Sequence, residues 1–303
     1  MPASDPFALP IHGGAAAGSV TPMTTAKTSG NAMAGSANAA YWDQAFSAAA
    51  AESPGFRRVW ETAAPDLPQE VEPFSFPSAA LLRHVAQALH LSPRQTLVDL
   101  GCGTGGPGLW LAREADVSLV GIDFSSVAID QANRRVALFG LAGRARFVVG
   151  DLASTGLPDA SADAAVSVDA FHYAADAAAA EARRVLRPGG RLVLTNWRPK
   201  VADDARLPAR LRINWPQLLH SAGFAGVQVE DRAEWHDLFT RVLRTALEAG
   251  DPGDDAMLAN LQDEARRVLP VADLLHRVVV TAAARGRAGA APSLLWPAPG
   301  IAR

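Results

Sequence analysis

Four aspartates and a histidine stand where apolar runs give way to turns, and these are residue types that hold or move charge. Asp99 lies within Thr96, Leu97, Val98 and Leu100, a run suited to a buried parallel strand. Directly after it come Gly101, Cys102, Gly103, Gly105 and Gly106, a loop whose glycines let the backbone turn sharply and approach a ligand. Asp123 ends the apolar run Val117 to Ile122, 22 residues after Gly101, an interval suited to an acid that binds ribose hydroxyls. Asp151 ends the expected strand Arg146 to Gly150, Asp169 ends Ala164 to Asp169, and His172 follows close behind. Gly101, Gly103 and Gly106 also satisfy Gly-x-Gly-x-x-Gly, which can hold a dinucleotide pyrophosphate. A pyrophosphate is anionic and favours helix amides, whereas an acid two residues ahead of the first glycine suits a cationic amino-acid ligand.

The blocks occur in order: TLVDLGCGTGGPGLWLA at Thr96 to Ala112, Asp123, FVVGDLASTGLP with Asp151, AAVSVD, and RVLRPGGRLVLTNW at Arg184 to Trp197. Together they resemble the class I S-adenosylmethionine-dependent methyltransferases of the small-molecule type, over about Ser78 to Asp231. The resemblance implies an α/β, Rossmann-like, doubly wound and mostly parallel seven-stranded sheet with helices on both faces. It implies S-adenosyl-L-methionine as cofactor. Asp99, Gly101 and Gly103 would hold the amino-acid end, Asp123 the ribose hydroxyls, and Asp151 the adenine amino group. Leu152 and Phe124 would lie on the two ring faces. Asp169 is grouped with these cofactor-binding residues, as is Cys102, whose backbone matters more than its thiol.

Methyl transfer from a sulfonium is an in-line displacement, so the site must place the acceptor atom about 3 Å from the methyl carbon and exclude water. A hydroxyl acceptor gains from proton removal, and an imidazole titrating near 6.5 suits that task. His172 is therefore the expected base. Related small-molecule enzymes often carry a histidine pair here, of which this chain matches only the first position. His236, following the expected sixth strand Val227 to Glu230, is the second candidate. Tyr41 and Trp42 on a leading helix, with Tyr173, Trp197 and Trp235, are candidates for the substrate pocket. Trp215 follows Asn214 at a helix start and reads as packing.

The reading is methyl transfer to a hydroxyl, amine or carbon of a small molecule, as in secondary-metabolite tailoring. Carbon methylation of an isoprenoid, quinone or sterol-like substrate is a rival. From other classes, an NAD-dependent oxidoreductase shares the glycine pattern, and a non-catalytic S-adenosylmethionine-binding module fits an inert His172.

The chain has 303 residues, a net charge of −3 and no Lys/Arg cluster, which argues against nucleic acid or an acidic membrane surface as partner. Its one cysteine excludes an internal disulfide, and no Cys/His cluster has zinc-ligand spacing, so no metal is expected. No run offers the roughly 20 apolar residues of a membrane span. A cytoplasmic enzyme with a small-molecule acceptor is expected, and a homodimer is compatible with the chain.

The expected order is a disordered leader (1–37), an N-terminal helical lid (38–77), the methyltransferase domain (78–285) and a disordered tail (286–303). A helix should start at Pro77 and Ser78, and another should span Ser125 to Phe139. Helices Glu234 to Leu247 and Asp254 to Leu269 should form a cap inserted at about 234–270, before a closing strand near Arg277 to Ala284.

Overall fold

The computed structural model describes residues 42–47 and 53–286. The leader, Tyr41 and the tail beyond residue 286 lie outside the described residues.

Residues 42–47 are helical. Helix α1 (Pro54–Ala63) starts on a proline, which suits a first turn because its missing N–H would have no helical partner there. Helix α2 (Ala79–Leu89) is capped by Ser78, whose Oγ accepts the Leu81 N–H at 3.0 Å. Strand β1 (Thr96–Leu100) then delivers the chain into the glycine loop, and helix α3 (Gly106–Ala115) leaves it. There follow β2 (Ser118–Asp123), α4 (Ser126–Arg135), β3 (Ala145–Val149), β4 (Ala162–Val168), α5 (Ala175–Val185) and β5 (Leu186–Pro199). The expected helix Ser125 to Phe139 is shorter. After α4 the chain tightens into a 3-10 turn at Val136–Phe139, which buries Phe139 and turns Leu138 to solvent.

The last third holds α6 (Trp215–Ser221), β6 (Phe224–Asp231), α7 (Ala233–Glu248), α8 (Ala256–Ala272) and β7 (Leu275–Ala284). The sheet order is β3-β2-β1-β4-β5-β7-β6, with β7 antiparallel to both neighbours and the other pairs parallel. The seven-stranded, mostly parallel sheet expected from the sequence is therefore present. An all-parallel dinucleotide sheet has no strand inserted backwards between the fifth and sixth, so the topology departs from the oxidoreductase alternative. Strand order reverses between β1 and β4, which opens a crevice at their carboxyl ends.

Three apolar clusters hold the layers together. Leu81, Leu82, Leu109 and Leu111 pack one face of the sheet, and Leu100, Ile122, Phe171 and Leu192 pack the other. Val59, Trp60, Phe76, Trp197 and Phe239 join α1, α7 and α8 into a cap. Each such side chain contributes roughly 1.5–3 kcal/mol by leaving water. Polar ties fix the cap: Asp255 Oδ2 accepts the Gly55 N–H at 2.7 Å, and Arg241 Nε donates to the Ala63 carbonyl at 2.9 Å. Among the described residues, no helix is long and apolar enough to cross a membrane, and no cluster of His, Cys, Asp or Glu could hold a metal ion.

Candidate active site

A cleft of about 1230 Å³, its open mouth included, lies at the carboxyl ends of β1, β2, β4 and β5. Helix 42–47 covers its rim. Asp43 accepts from the Ser125 hydroxyl, Gln131 Nε2 donates to the Phe46 carbonyl at 2.9 Å, and the Phe46 ring closes over Gly103.

One half of the cleft is built from strand ends and backbone. Asp99, Gly101, Cys102, Gly103, Asp123, Phe124 and Leu152 all line it. Gly101 has φ +75°, and a Cβ there would lie 2.5 Å from that of Ala170, so both conformation and space call for glycine. Asp99 is 2% exposed and its carboxyl makes no hydrogen bond among the described residues. Burial, then the nearby Asp123, pushes it up to about 7. That carboxyl lies against the first turn of α3, where a Cβ on Gly108 would come within 2.3 Å of its Oδ2. Asp123 accepts the N–H groups of Gly103 (2.9 Å) and Ser125 (3.0 Å), which pull its carboxyl down against the larger upward effect of burial. A carboxylate has about four lone-pair sites, so ribose hydroxyls could still be accommodated. The Cys102 thiol is pushed up by burial and by Asp99, which makes it a poor nucleophile.

A buried acid without a hydrogen-bond partner beside a glycine loop fits a cationic amino-acid end, and Asp123 fits a ribose. This half thus suits S-adenosylmethionine. Asp151 does not line the cleft, unlike its neighbour Leu152: it is exposed, and its Oδ1 accepts the Ala153 N–H at 2.7 Å. That bond closes the local turn.

The other half is aromatic. Phe46 stacks on Phe74 at 4.2 Å, Trp42 meets the edge of Tyr173 at 5.6 Å, and Trp197 meets Phe76 at 6.4 Å. Phe239 on α7 braces Phe76 from behind at 4.7 Å. Asp169 lines this half but is engaged elsewhere. Its oxygens accept from Arg277 at 2.8 and 3.1 Å and from the Thr195 hydroxyl at 2.8 Å. Arg277 is fully buried, and its guanidinium lies 4.2 Å from the Trp197 ring. Asp169 therefore anchors the pocket wall, and its bonds leave little room for the expected cofactor contact.

His172 lines the cleft at 5% exposure. Its Nδ1 lies 3.3 Å from Asn196 Nδ2, while Asn196 Oδ1 accepts the Trp197 N–H at 2.9 Å. An amide oxygen is required at that backbone donor, so the amide nitrogen faces the ring. On that hydrogen-bond pattern Nδ1 accepts, and the neutral ring carries its proton on Nε2. Burial, then Arg210, pushes the imidazole down to about 3, against the pull of Asp169.

Trp235 and His236 do not line the cleft. Trp235 is buried against His84 of α2, and His236 sits beside Phe239, pushed down by burial and Lys200. The apolar stripe of α7 is core: it supports cleft residues without reaching the cleft. Trp215 is buried against Phe171 as packing.

The sequence reading passed over Phe74, Phe76, Arg210, Glu264, Asn196 and Arg277. Phe74 and Phe76 stand two apart between prolines, the one local pattern here that marks a segment set apart from helix and strand. Arg210 sits in a short turn after Pro208, and the others in ordinary helical or strand patterns.

A family model described as a methyltransferase domain matches residues 97–190. A sterol 24-C-methyltransferase of Aspergillus fumigatus is 31% identical over 47% of this chain and 38% of its own length. The 27-O-demethylrifamycin SV methyltransferase of Amycolatopsis mediterranei is 35% identical over 38% of this chain and 43% of its own. The chain thus spans less than half the length of these curated relatives. Among solved structures, the 4+2 cyclase SpnF superposes with a TM-score of 0.60 at 28% identity, covering 68% of this chain and 80% of SpnF. With the sheet order, the glycine loop and the buried acids of β1 and β2, these likenesses support a methyltransferase domain of the class I, S-adenosylmethionine-dependent kind.

Proposed function

We propose that this protein methylates a small, largely apolar acceptor in natural-product biosynthesis. One observation carries the reading: the glycine loop with its unpaired, buried Asp99 opens into the same cleft as the aromatic half. When bound, S-adenosylmethionine supplies an electrophilic methyl group on a sulfonium. Asp99 offsets the positive charge of its amino-acid end, Asp123 accepts from the ribose hydroxyls, and Phe124 and Leu152 flank the adenine. Trp42, Phe46, Phe74, Tyr173 and Trp197 orient the acceptor and keep water out. His172 donates its Nε2–H to the acceptor oxygen and so fixes its approach. A ring held as acceptor at Nδ1 and pushed down to about 3 is a weak general base. The sterol and rifamycin relatives support a ring-bearing or isoprenoid acceptor, methylated at carbon or oxygen.

The likeness to SpnF supports a second reading, in which the same cleft folds an apolar chain for cyclisation without methyl transfer. Incubation with S-adenosylmethionine and a panel of polyketide, phenolic and isoprenoid alcohols, followed by mass spectrometry, separates the two. A product heavier by one methylene, formed with equimolar S-adenosylhomocysteine, supports methyl transfer. A converted acceptor of unchanged mass overturns it.

A further inference from the structure

Next to the cleft, a second, narrow chamber of about 440 Å³, its open mouth included, lies beneath the cap. Phe74, Ser75, Phe76 and Glu264 line both spaces. The chamber's remaining wall is mostly apolar, with Phe56 and Trp60 from α1 and Met257 and Leu261 from α8. Two polar side chains of α8 break this lining, Asn260 and Glu264. They stand four residues apart, which places them on one helix face about 5–6 Å from each other at Cβ.

Neither group has a hydrogen-bond partner among the described residues. Asn260 Oδ1 is buried with no hydrogen-bond partner among the described residues. Exchanging the amide's oxygen and nitrogen would only put an unpaired donor in the same place. Glu264 has electrostatic neighbours in Arg267 and Asp169 but no hydrogen bond among the described residues. A buried polar atom left unpaired costs about 1–3 kcal/mol, so the Asn260 oxygen beside the half-buried Glu264 carboxyl points to a ligand that completes both. A hydroxyl both donates and accepts, so it can serve the carboxyl and either end of the amide. The chamber's mostly apolar lining disfavours bringing in the charge of an ammonium, so a neutral partner fits better.

We propose that this chamber receives the distal end of a hydroxylated, otherwise apolar acceptor, whose hydroxyl is held by Glu264 and Asn260. The inference rests on the acceptor reading of the adjoining cleft and names its substrate class more narrowly. A hydroxyl read here lies at the far end of the molecule from the methylated atom, so the substrate carries two functional positions joined by an apolar body.

The test uses three naphthalene probes titrated by calorimetry into the full chain saturated with S-adenosylhomocysteine. They are 2-naphthol, 2-fluoronaphthalene, which is nearly the same size but donates no hydrogen bond, and 2-naphthylmethylamine, which is cationic. The wild type is expected to bind 2-naphthol at least tenfold more tightly than either other probe. Glu264→Leu should remove that preference and tighten 2-fluoronaphthalene, because an unpaired, half-buried carboxyl is gone; a merely structural role would weaken all three alike. Should Glu264→Leu fail to fold, Asn260→Ala is expected to lower the naphthol preference at least threefold. Equal binding of naphthol and fluoronaphthalene by the wild type, preference for the amine, or no probe binding overturns the proposal. The preceding S-adenosylhomocysteine titration keeps the readings apart. Its failure would count against the cofactor assignment, whereas cofactor binding without a hydroxyl preference counts against the chamber alone.

Discussion

The two halves of the cleft are made in different ways. The cofactor half comes almost wholly from residues 99–124, as backbone turns and short acids fixed at the ends of neighbouring parallel strands. The acceptor half gathers side chains from the 42–47 helix, the 74–76 crossing, the turn after β4, the end of β5, the 210–211 turn and the cap. The first is held by main-chain geometry and tolerates little change. The second is held by ring packing over a buried ion pair, so its shape can vary while the sheet stays intact.

Breaking the base of the acceptor half should have the largest effect. Arg277→Met leaves Asp169 charged, buried and without its ion-pair partner, at a cost of about 3–5 kcal/mol in urea unfolding. Adding Asp169→Asn should restore most of that loss; a single-variant loss under about 1 kcal/mol would show that the pair does not hold the wall. On the other side, Asp123→Ala should weaken S-adenosylhomocysteine binding by about 10–150-fold, the range for hydrogen bonds to a charged group. Calorimetry showing an unchanged affinity would remove Asp123 from the cofactor site.

Phe74→Ala sharpens the contrast. It should raise the acceptor KM by about tenfold through lost ring contacts, while S-adenosylhomocysteine affinity stays within about threefold. Equal loss in both measurements would mean that the halves are not separable.

The pH response is the subtlest expectation. Asp99 stays protonated up to about 7, and only its carboxylate pairs with a cationic ligand. Cofactor binding should therefore release a proton below that value, and S-adenosylhomocysteine affinity should rise by about tenfold from pH 6 to pH 8. Asp99→Asn should flatten the profile. The unliganded protein moves the other way. The unfolded carboxyl loses its proton near 3.8 and the folded one near 7, so the Asp99 contribution to stability falls as pH rises between them.

The same division decides what could be read from the sequence. That Asp99, Gly101, Gly103, Asp123 and Phe124 share one cleft was legible because one strand, one tight turn and the next strand impose fixed spacings on them. The seven strands and both cap helices were legible from apolar periodicity and breakers, with ends displaced by a few residues. Asp151 and Asp169 show the limit of that logic: an acid at a strand end can equally close its own turn or pair with an arginine from a distant strand. Arg277 lies 108 residues from Asp169 and looks in sequence like any residue of an apolar strand. Asn196 of β5 meets His172 of the turn after β4, a contact that no local pattern encodes. Phe74, Phe76 and Glu264 reach the cleft through a chain crossing and a cap whose placement only tertiary packing decides.

Calorimetric titration of the purified chain with S-adenosylhomocysteine, with NADH as comparison ligand and Asp123→Ala alongside, is the most direct measurement. Binding of S-adenosylhomocysteine that the substitution weakens, with no binding of NADH, is the expected result. Binding of NADH, or of neither ligand, would contradict the assignment of the cleft.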